Sequence, residues 1–258
     1  MRTEATAMAT DARIESRQKV HEPECFPELT IIVPSYNERE NIQPLIKGLD
    51  IALQGIQWEV LFVDDGSPDG TAEEIRLAAA VNSRVRLLER VGTRGLSSAC
   101  IEGMRTTSAP YIAVMDADLQ HDEQILPVML ARLKSESLDV VVGSRSTCGG
   151  SMGKFSYSRV LLSRLGTEAA HLICRCQLSD AMSGFFIVRR SFFVKIVGRL
   201  KGTGFKLLLE VLASSSQDPP RIGEIPYTFR ERQRGSSKFG IRACLAYLEF
   251  LRKKHSLL

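Results

Sequence analysis

Asp116 and Asp118, with Gln120 two residues further on, close the apolar run Tyr111-Ile-Ala-Val-Met115. In extended backbone, residues i and i+2 face the same side, so both carboxylates and the amide can converge beyond the end of a buried strand. Two acidic oxygens and one neutral oxygen suit a hard cation, Mg²⁺ or Mn²⁺, shared with a diphosphate and water. A solvated turn after a strand also favours aspartate, so the pair gains its meaning from its neighbours. Three other apolar runs end in polar loops: Pro34-Ser-Tyr-Asn-Glu38, Val63-Asp-Asp-Gly-Ser-Pro-Asp-Gly70 and Gly143-Ser-Arg145. Tyr36 can lie against a nucleobase, Glu38 and Asp65 can accept hydrogen bonds from base or ribose, and Arg145 offers positive charge to an anion.

These residues need strands to carry them, and the chain supplies a regular alternation. Short runs rich in β-branched and apolar residues fall at 29–34, 59–64, 85–88, 111–115, 139–143, 184–188 and 221–229. Helical spacing separates them: a start at Asn37 with Glu40 three residues on, and another at Thr71 with Glu74, both read as capping boxes. Further helices are expected over 97–107, 123–133, 155–173, 191–197 and 205–213. Nearly continuous apolar strands alternating with helices predict an α/β fold, a mainly parallel sheet with helices on both faces. Pro226 suits the last strand only at an edge. In such sheets ligands bind beyond the carboxyl ends of the strands, where the polar loops fall.

The chain of 258 residues is long enough for a sizeable core. Its formal charge of +4 is unevenly placed: from Pro219 onward nine Lys/Arg face three acids, a local +6. That asymmetry implies an anionic partner, a nucleotide, lipid phosphate or membrane surface. No recognition motif favours nucleic acid. A dinucleotide fingerprint and a nucleophile elbow are both missing, and Gly149–Lys154 is one residue short of a P-loop. The six cysteines lack metal-site spacing, even with His171 beside Cys174 and Cys176, and read as structural or incidental thiols. There is no signal-peptide pattern and no run long enough for a membrane-spanning helix. Residues 1–28 read as a mobile leader, 29–240 as one catalytic domain, and 241–258 as a C-terminal amphipathic basic helix. That helix repeats Ile241, Cys244, Leu245, Leu248 and Leu251 before Arg252-Lys-Lys254. The stripe suits either a core-facing helix or one docking on a membrane surface.

Taken together, Val33–Glu38, Val63–Gly70, Met115–Gln120, Gly143–Arg145, Met182-Ser-Gly-Phe-Phe186 and Gly235-Ser-Ser-Lys238 resemble the dolichol- or polyprenol-phosphate mannose synthases, inverting family 2 glycosyltransferases of the GT-A fold. The likeness runs from about Leu29 to Gly240. It implies that Pro34, Tyr36, Glu38, Val63 and Asp65 hold the nucleoside of GDP-mannose. It implies that Asp116, Asp118 and Gln120 hold the metal on its diphosphate, with Ala117 beside the sugar nucleotide. Lys206, Arg232 and Lys238 match basic donor contacts, and Arg145, Arg159 and Ser163 match positions facing the acceptor phosphate, with Asp118 and Arg145 central to catalysis. Dolichol or polyprenol phosphate as acceptor and a peripheral place on the cytoplasmic membrane face follow from the same likeness, at the endoplasmic reticulum in a eukaryote or the plasma membrane in a prokaryote. Many relatives add membrane helices or small membrane subunits. UDP-glucose or another donor, and a non-catalytic sugar-nucleotide-binding subunit, are the rival readings.

Overall fold

Each of the seven apolar runs forms a strand of one sheet in the computed structural model, which describes residues 26–92, 94–151, 178–202, 207–215 and 218–232. In chain order the elements are β1 (Leu29–Ser35), α1 (Arg39–Ala52), β2 (Trp58–Asp64), α2 (Thr71–Val81), β3 (Val85–Glu89), α3 (Leu96–Thr106), β4 (Tyr111–Val114) and α4 (Leu126–Ser135), the last entered through a 3-10 turn at Glu123–Ile125. Then follow β5 (Val140–Ser144), β6 (Phe186–Arg189), α5 (Arg190–Ile196), α6 (Leu207–Ser214) and β7 (Ile222–Pro226). The sheet order is β3-β2-β1-β4-β6-β5-β7. All pairings are parallel except those of β6, which runs against both β4 and β5. The expected α/β architecture, mainly parallel, is therefore present, and Pro226 does sit on an edge strand.

Strand residues alternate between two buried layers, as the pleat requires. Ile31, Val33, Val60, Phe62, Ala113 and Val141 pack with α1, α2 and α4. Ile32, Leu61, Val63, Ile112, Val114 and Val140 pack with α3, α5 and α6 on the other face. α3 lies close because Gly103 has no side chain: a Cβ there would stand 2.8 Å from Val63 Cγ2 and 2.9 Å from Ile32 Cγ2. No helix among the described residues is long and apolar enough to cross a membrane.

Two expected capping boxes do not form. Asn37 is left-handed (φ 54°) and its N–H donates to Ser67 Oγ, while α1 begins after Glu38 with no side-chain cap. At α2 the cap comes from upstream: Asp69 Oδ1 accepts from the N–H (3.0 Å) and hydroxyl (2.5 Å) of Thr71. In both cases loop-to-loop bonding satisfies groups that local sequence assigned to the helix itself. The helix expected over 155–173, the leader up to residue 25 and the C-terminal helix 241–258 lie outside the described residues.

Candidate active site

Because six strands run one way and β6 the other, the carboxyl ends of the six and the entry to β6 share one edge of the sheet. Asp116 lies two residues past the last pair of β4, and the chain then turns instead of continuing as a strand. Leu119 is left-handed at φ 61°, and the Gln120 N–H folds back onto Asp118 Oδ1 at 3.2 Å. The strict i, i+2 alternation expected for three side chains thus holds only as far as the turn. Asp116 and Asp118 still share one electrostatic field. Burial lifts the Asp118 carboxyl above its ordinary range, and the neighbouring Asp116 charge lifts it further. Arg232 and His121 oppose that rise.

Gln120 is a clamp. Its side-chain NH₂ donates to the Arg230 carbonyl at 2.9 Å, and the Arg230 N–H returns a bond to the Gln120 carbonyl at 2.8 Å. The Arg230 guanidinium also reaches Asp122 and Glu123, at 2.6 and 2.8 Å. This ties the segment after β7 to the loop after β4 and sets Arg232 over the aspartates. Arg232 Nη2 lies 2.6 Å from Asp118 Oδ2, and Nη1 lies 3.8 Å from Glu38 Oε1. Residues from the ends of β1, β4 and β7 therefore meet at one guanidinium.

At the carboxyl ends of β1 and β2, Pro34 and Val63 are partners across the two strands, and Ser35 pairs Asp64. Asp64 shapes the next turn by accepting from Ser67 N and Oγ. Asp65 is held by the buried Arg90 and by the Gly95 N–H at 2.9 Å. Arg90 is fixed in turn by Glu102 (2.8 Å) and Ser98 (2.9 Å) on α3. Glu38 is anchored by Asn41 at 2.6 Å and by Thr71, which accepts its N–H at 3.0 Å. The Tyr36 ring is covered by the Arg94 guanidinium at 4.7 Å, and its hydroxyl accepts from Arg94 at 3.1 Å. Ala117 is buried beside the aspartates.

Arg145, just past β5, is held in a fixed pose. Its Nε and Nη2 donate to the two oxygens of Asp180 at 2.7 and 2.9 Å, and its backbone N–H donates to Oδ2 at 3.1 Å. Burial works against the guanidinium charge, and the Asp180 hydrogen bonds and charge outweigh it, with Asp116 adding in the same direction. The acidic and basic halves of the edge are thus within each other's field. Gly184, at the entry to β6, faces the acidic half: a Cβ there would sit 3.5 Å from Asp116 Oδ2.

The structure brings together Pro34, Tyr36, Glu38, Val63, Asp65, Asp116, Ala117, Asp118, Gln120, Arg145 and Arg232 at this edge. Arg159, Ser163, Lys206 and Lys238 lie outside the described residues. Sequence reading passed over Arg90, Arg94 and Asp180. Single charges on a loop look like solvated surface, and only the fold reveals their partners. His121, directly after Gln120, has no role in the sequence reading either. That imidazole is buried, with Nε2 3.2 Å from Asp116 Oδ2.

The donor set suits a divalent cation in part. Among the described residues no three carboxylate, imidazole or thiol groups converge, so a divalent cation held by the two aspartates would need further oxygens from elsewhere, a demand that suits Mg²⁺ with phosphate and water. A buried carboxylate with a raised pKa beside a second one calls for positive charge, which Arg232 supplies here.

The sequence profile of "Glycosyl transferase family 2" matches residues 30–197. A "Dolichol-phosphate mannosyltransferase" of Pyrococcus furiosus is 36% identical over 231 residues, covering 86% of this chain and 62% of that protein. This chain therefore spans less than two thirds of that relative's length. One of the same name from Saccharomyces cerevisiae is 35% identical over 235 residues, covering 88% of this chain and 86% of the relative. Among solved structures, glucosyl-3-phosphoglycerate synthase from Mycobacterium tuberculosis, in complex with Mn²⁺, UDP and glucosyl-3-phosphoglycerate, superposes with a TM-score of 0.65. At 15% identity over 89% of this chain and 78% of the other, that likeness bears on the fold alone. Sequence likeness over most of the sheet leads to one conclusion: the chain belongs to glycosyl transferase family 2.

Proposed function

We propose that the chain transfers mannose from GDP-mannose to a dolichol or polyprenol phosphate, with inversion, at the cytoplasmic face of a membrane. The observation that carries this reading is the juxtaposition at one strand edge of an aspartate pair and a fixed arginine, Asp116 and Asp118 beside Arg145. The names of the relatives support the same acceptor class. Asp116 and Asp118 would hold Mg²⁺ or Mn²⁺, with Gln120 alongside, and the ion supplies charge stabilisation to the departing diphosphate. Tyr36, Glu38 and Asp65 bind the nucleoside, with Pro34 and Val63 forming the wall behind it. Arg232, Lys206 and Lys238 are assigned to the donor phosphates.

The acceptor is an anion before it arrives. A phosphate monoester has its second pKa near ~6, so at neutral pH it needs no base to make it a nucleophile. One of its oxygens forms the new bond to the sugar's anomeric carbon from the face opposite the diphosphate. The old carbon–oxygen bond breaks and GDP leaves with that electron pair. What the protein must do is bring two anions together, and a preset guanidinium does so without reorganising at the moment of reaction. Arg145, already aligned by Asp180, takes that part with Arg159 and Ser163. The runner-up donor, UDP-glucose, would use the same machinery.

The test is turnover of labelled GDP-mannose against UDP-glucose with a short polyprenyl phosphate and Mn²⁺. We expect mannose transfer, reversible loss of activity in EDTA, and no turnover by Asp118→Asn with an unchanged fold by circular dichroism. Full activity in excess EDTA would overturn the metal role, and preferred use of UDP-glucose would overturn the donor.

A further inference from the structure

His121 occupies a place that a phenylalanine would fill more readily. Its ring is boxed by Phe185 (edge-on, 5.0 Å between centroids), Tyr227 (stacked, 5.9 Å) and Phe229 (edge-on, 5.5 Å), and the residue is 2% exposed. Its Nδ1 is buried with no hydrogen-bond partner among the described residues. A buried polar atom left unsatisfied is unfavourable, and an apolar ring of like shape would avoid it. Packing therefore does not account for an imidazole. Among the described residues, the ring's one hydrogen bond is Nε2 to Asp116 Oδ2 at 3.2 Å. With Nδ1 unpartnered, the network places the proton on Nε2, making it the donor and the carboxylate the acceptor.

Asp116 sits past the last residue of β4, where the ladder has ended and the chain is about to turn at Leu119. Gly184 faces its carboxylate, where an added Cβ would stand 3.5 Å from Oδ2. His121 steadies Asp116 with a hydrogen bond held in an aromatic box too tight for the ring to swing away.

We propose that His121 is a positioning residue, whose Nε2–H fixes the orientation of the Asp116 carboxylate for the divalent cation. This rests on the metal-dependent reading given above. Groups that orient a metal's carboxylate ligand from behind typically contribute about 10–100-fold to metal affinity.

Two substitutions separate orientation from packing. His121→Phe fills the box and cannot donate; His121→Gln packs less well but carries an amide N–H at comparable reach. Mn²⁺ binding in the presence of GDP would be titrated by electron paramagnetic resonance on the intact chain, and thermal melting measured alongside. We expect His121→Phe to melt at or above the wild-type temperature yet bind Mn²⁺ about 10–100-fold more weakly, and His121→Gln to recover most of the affinity despite a lower melting point. Wild-type affinity in His121→Phe, or a glutamine variant no better than the phenylalanine one, would overturn the proposal. A wild-type chain that binds no Mn²⁺ with GDP would instead overturn the metal reading beneath it.

Discussion

Replacing Asp180 by alanine removes the partner that holds Arg145 in place, and the size of the effect can be worked from the geometry. Asp180 is fully buried, and the Arg145 side chain is 12% exposed. Two guanidinium N–H groups and one backbone N–H lose their acceptor together. At about 1.5–3 kcal/mol for each charge-assisted bond, the two guanidinium bonds alone amount to roughly 3–6 kcal/mol. Breaking a buried pair from one side costs about 3–5 kcal/mol, because the surviving charge is left uncompensated. We therefore expect Asp180→Ala to lower the unfolding free energy by about 4 kcal/mol. Arg145→Met should do nearly the same, by stranding the carboxylate instead. The double variant should lose far less than the sum, leaving a coupling of about 2 kcal/mol or more, within the range for residues in direct contact. Equilibrium urea unfolding of the four proteins measures this as midpoint shifts at constant slope. A loss under about 1 kcal/mol for Asp180→Ala, or additivity within about 0.5 kcal/mol, would refute the argument. Asp180→Asn keeps the volume, and it should chiefly raise the acceptor KM.

Gly150→Ala should act on the same arginine from the other side, since the added Cβ would stand 2.7 Å from the Ser144 carbonyl oxygen and 2.9 Å from the Arg145 carbonyl carbon. We expect a loss of about 1–3 kcal/mol in urea and weaker acceptor use; an unchanged midpoint would mean the loop gives way freely. Asp69→Ala removes the cap on Thr71 and should cost about 1 kcal/mol. Burial works to raise the Asp69 pKa, but the Thr71 hydroxyl, the Thr71 N–H and the Arg39 N–H hold it below the ordinary carboxylate value. Its contribution is therefore present above the unfolded pKa, near ~3.9, and fades as pH falls through the lower folded value. The gap between variant and wild type should close in acid, and a gap constant down to pH ~2 would contradict the assignment. The cationic stretch from 219 onward predicts co-sedimentation with anionic but not neutral vesicles at low salt, with release at high salt and loss when Arg252, Lys253 and Lys254 become serine. A chain left in the supernatant at low salt would point to a separate membrane partner.

Much of the fold was legible because each apolar run is bounded by its own breakers. Leu29–Pro34, Glu59–Asp64 and Asp139–Gly143 match the strands to within a residue at each end. Helix entries were less so. Residues 123–125 form a 3-10 turn, and the α-helix starts beside Pro127, which is tolerated only in a first turn. The direction of β6 was not legible at all: Phe186–Val188 reads the same in a parallel or an antiparallel strand, since a period of two carries no polarity. The same gap explains the site. Asp116, Asp118 and Arg145 stand out because they end strands, whereas Asp180 and Arg90 matter through partners 35 and 25 residues away.

The reversed strand has a consequence for the order in which the chain becomes an enzyme. β1 to β4 occupy adjacent places and can associate as soon as they are synthesised, completing the aspartate half of the edge. β5 is made next but has no place beside β4; it can join only across β6, which comes some forty residues later. Until that strand inserts, Arg145 has no Asp180 and the two halves have no common edge. Contacts of such sequence separation form slowly. The nascent protein should therefore complete its aspartate half first and its Arg145 half last, so that, on the function proposed above, an interrupted chain would bind a donor before it had an acceptor site.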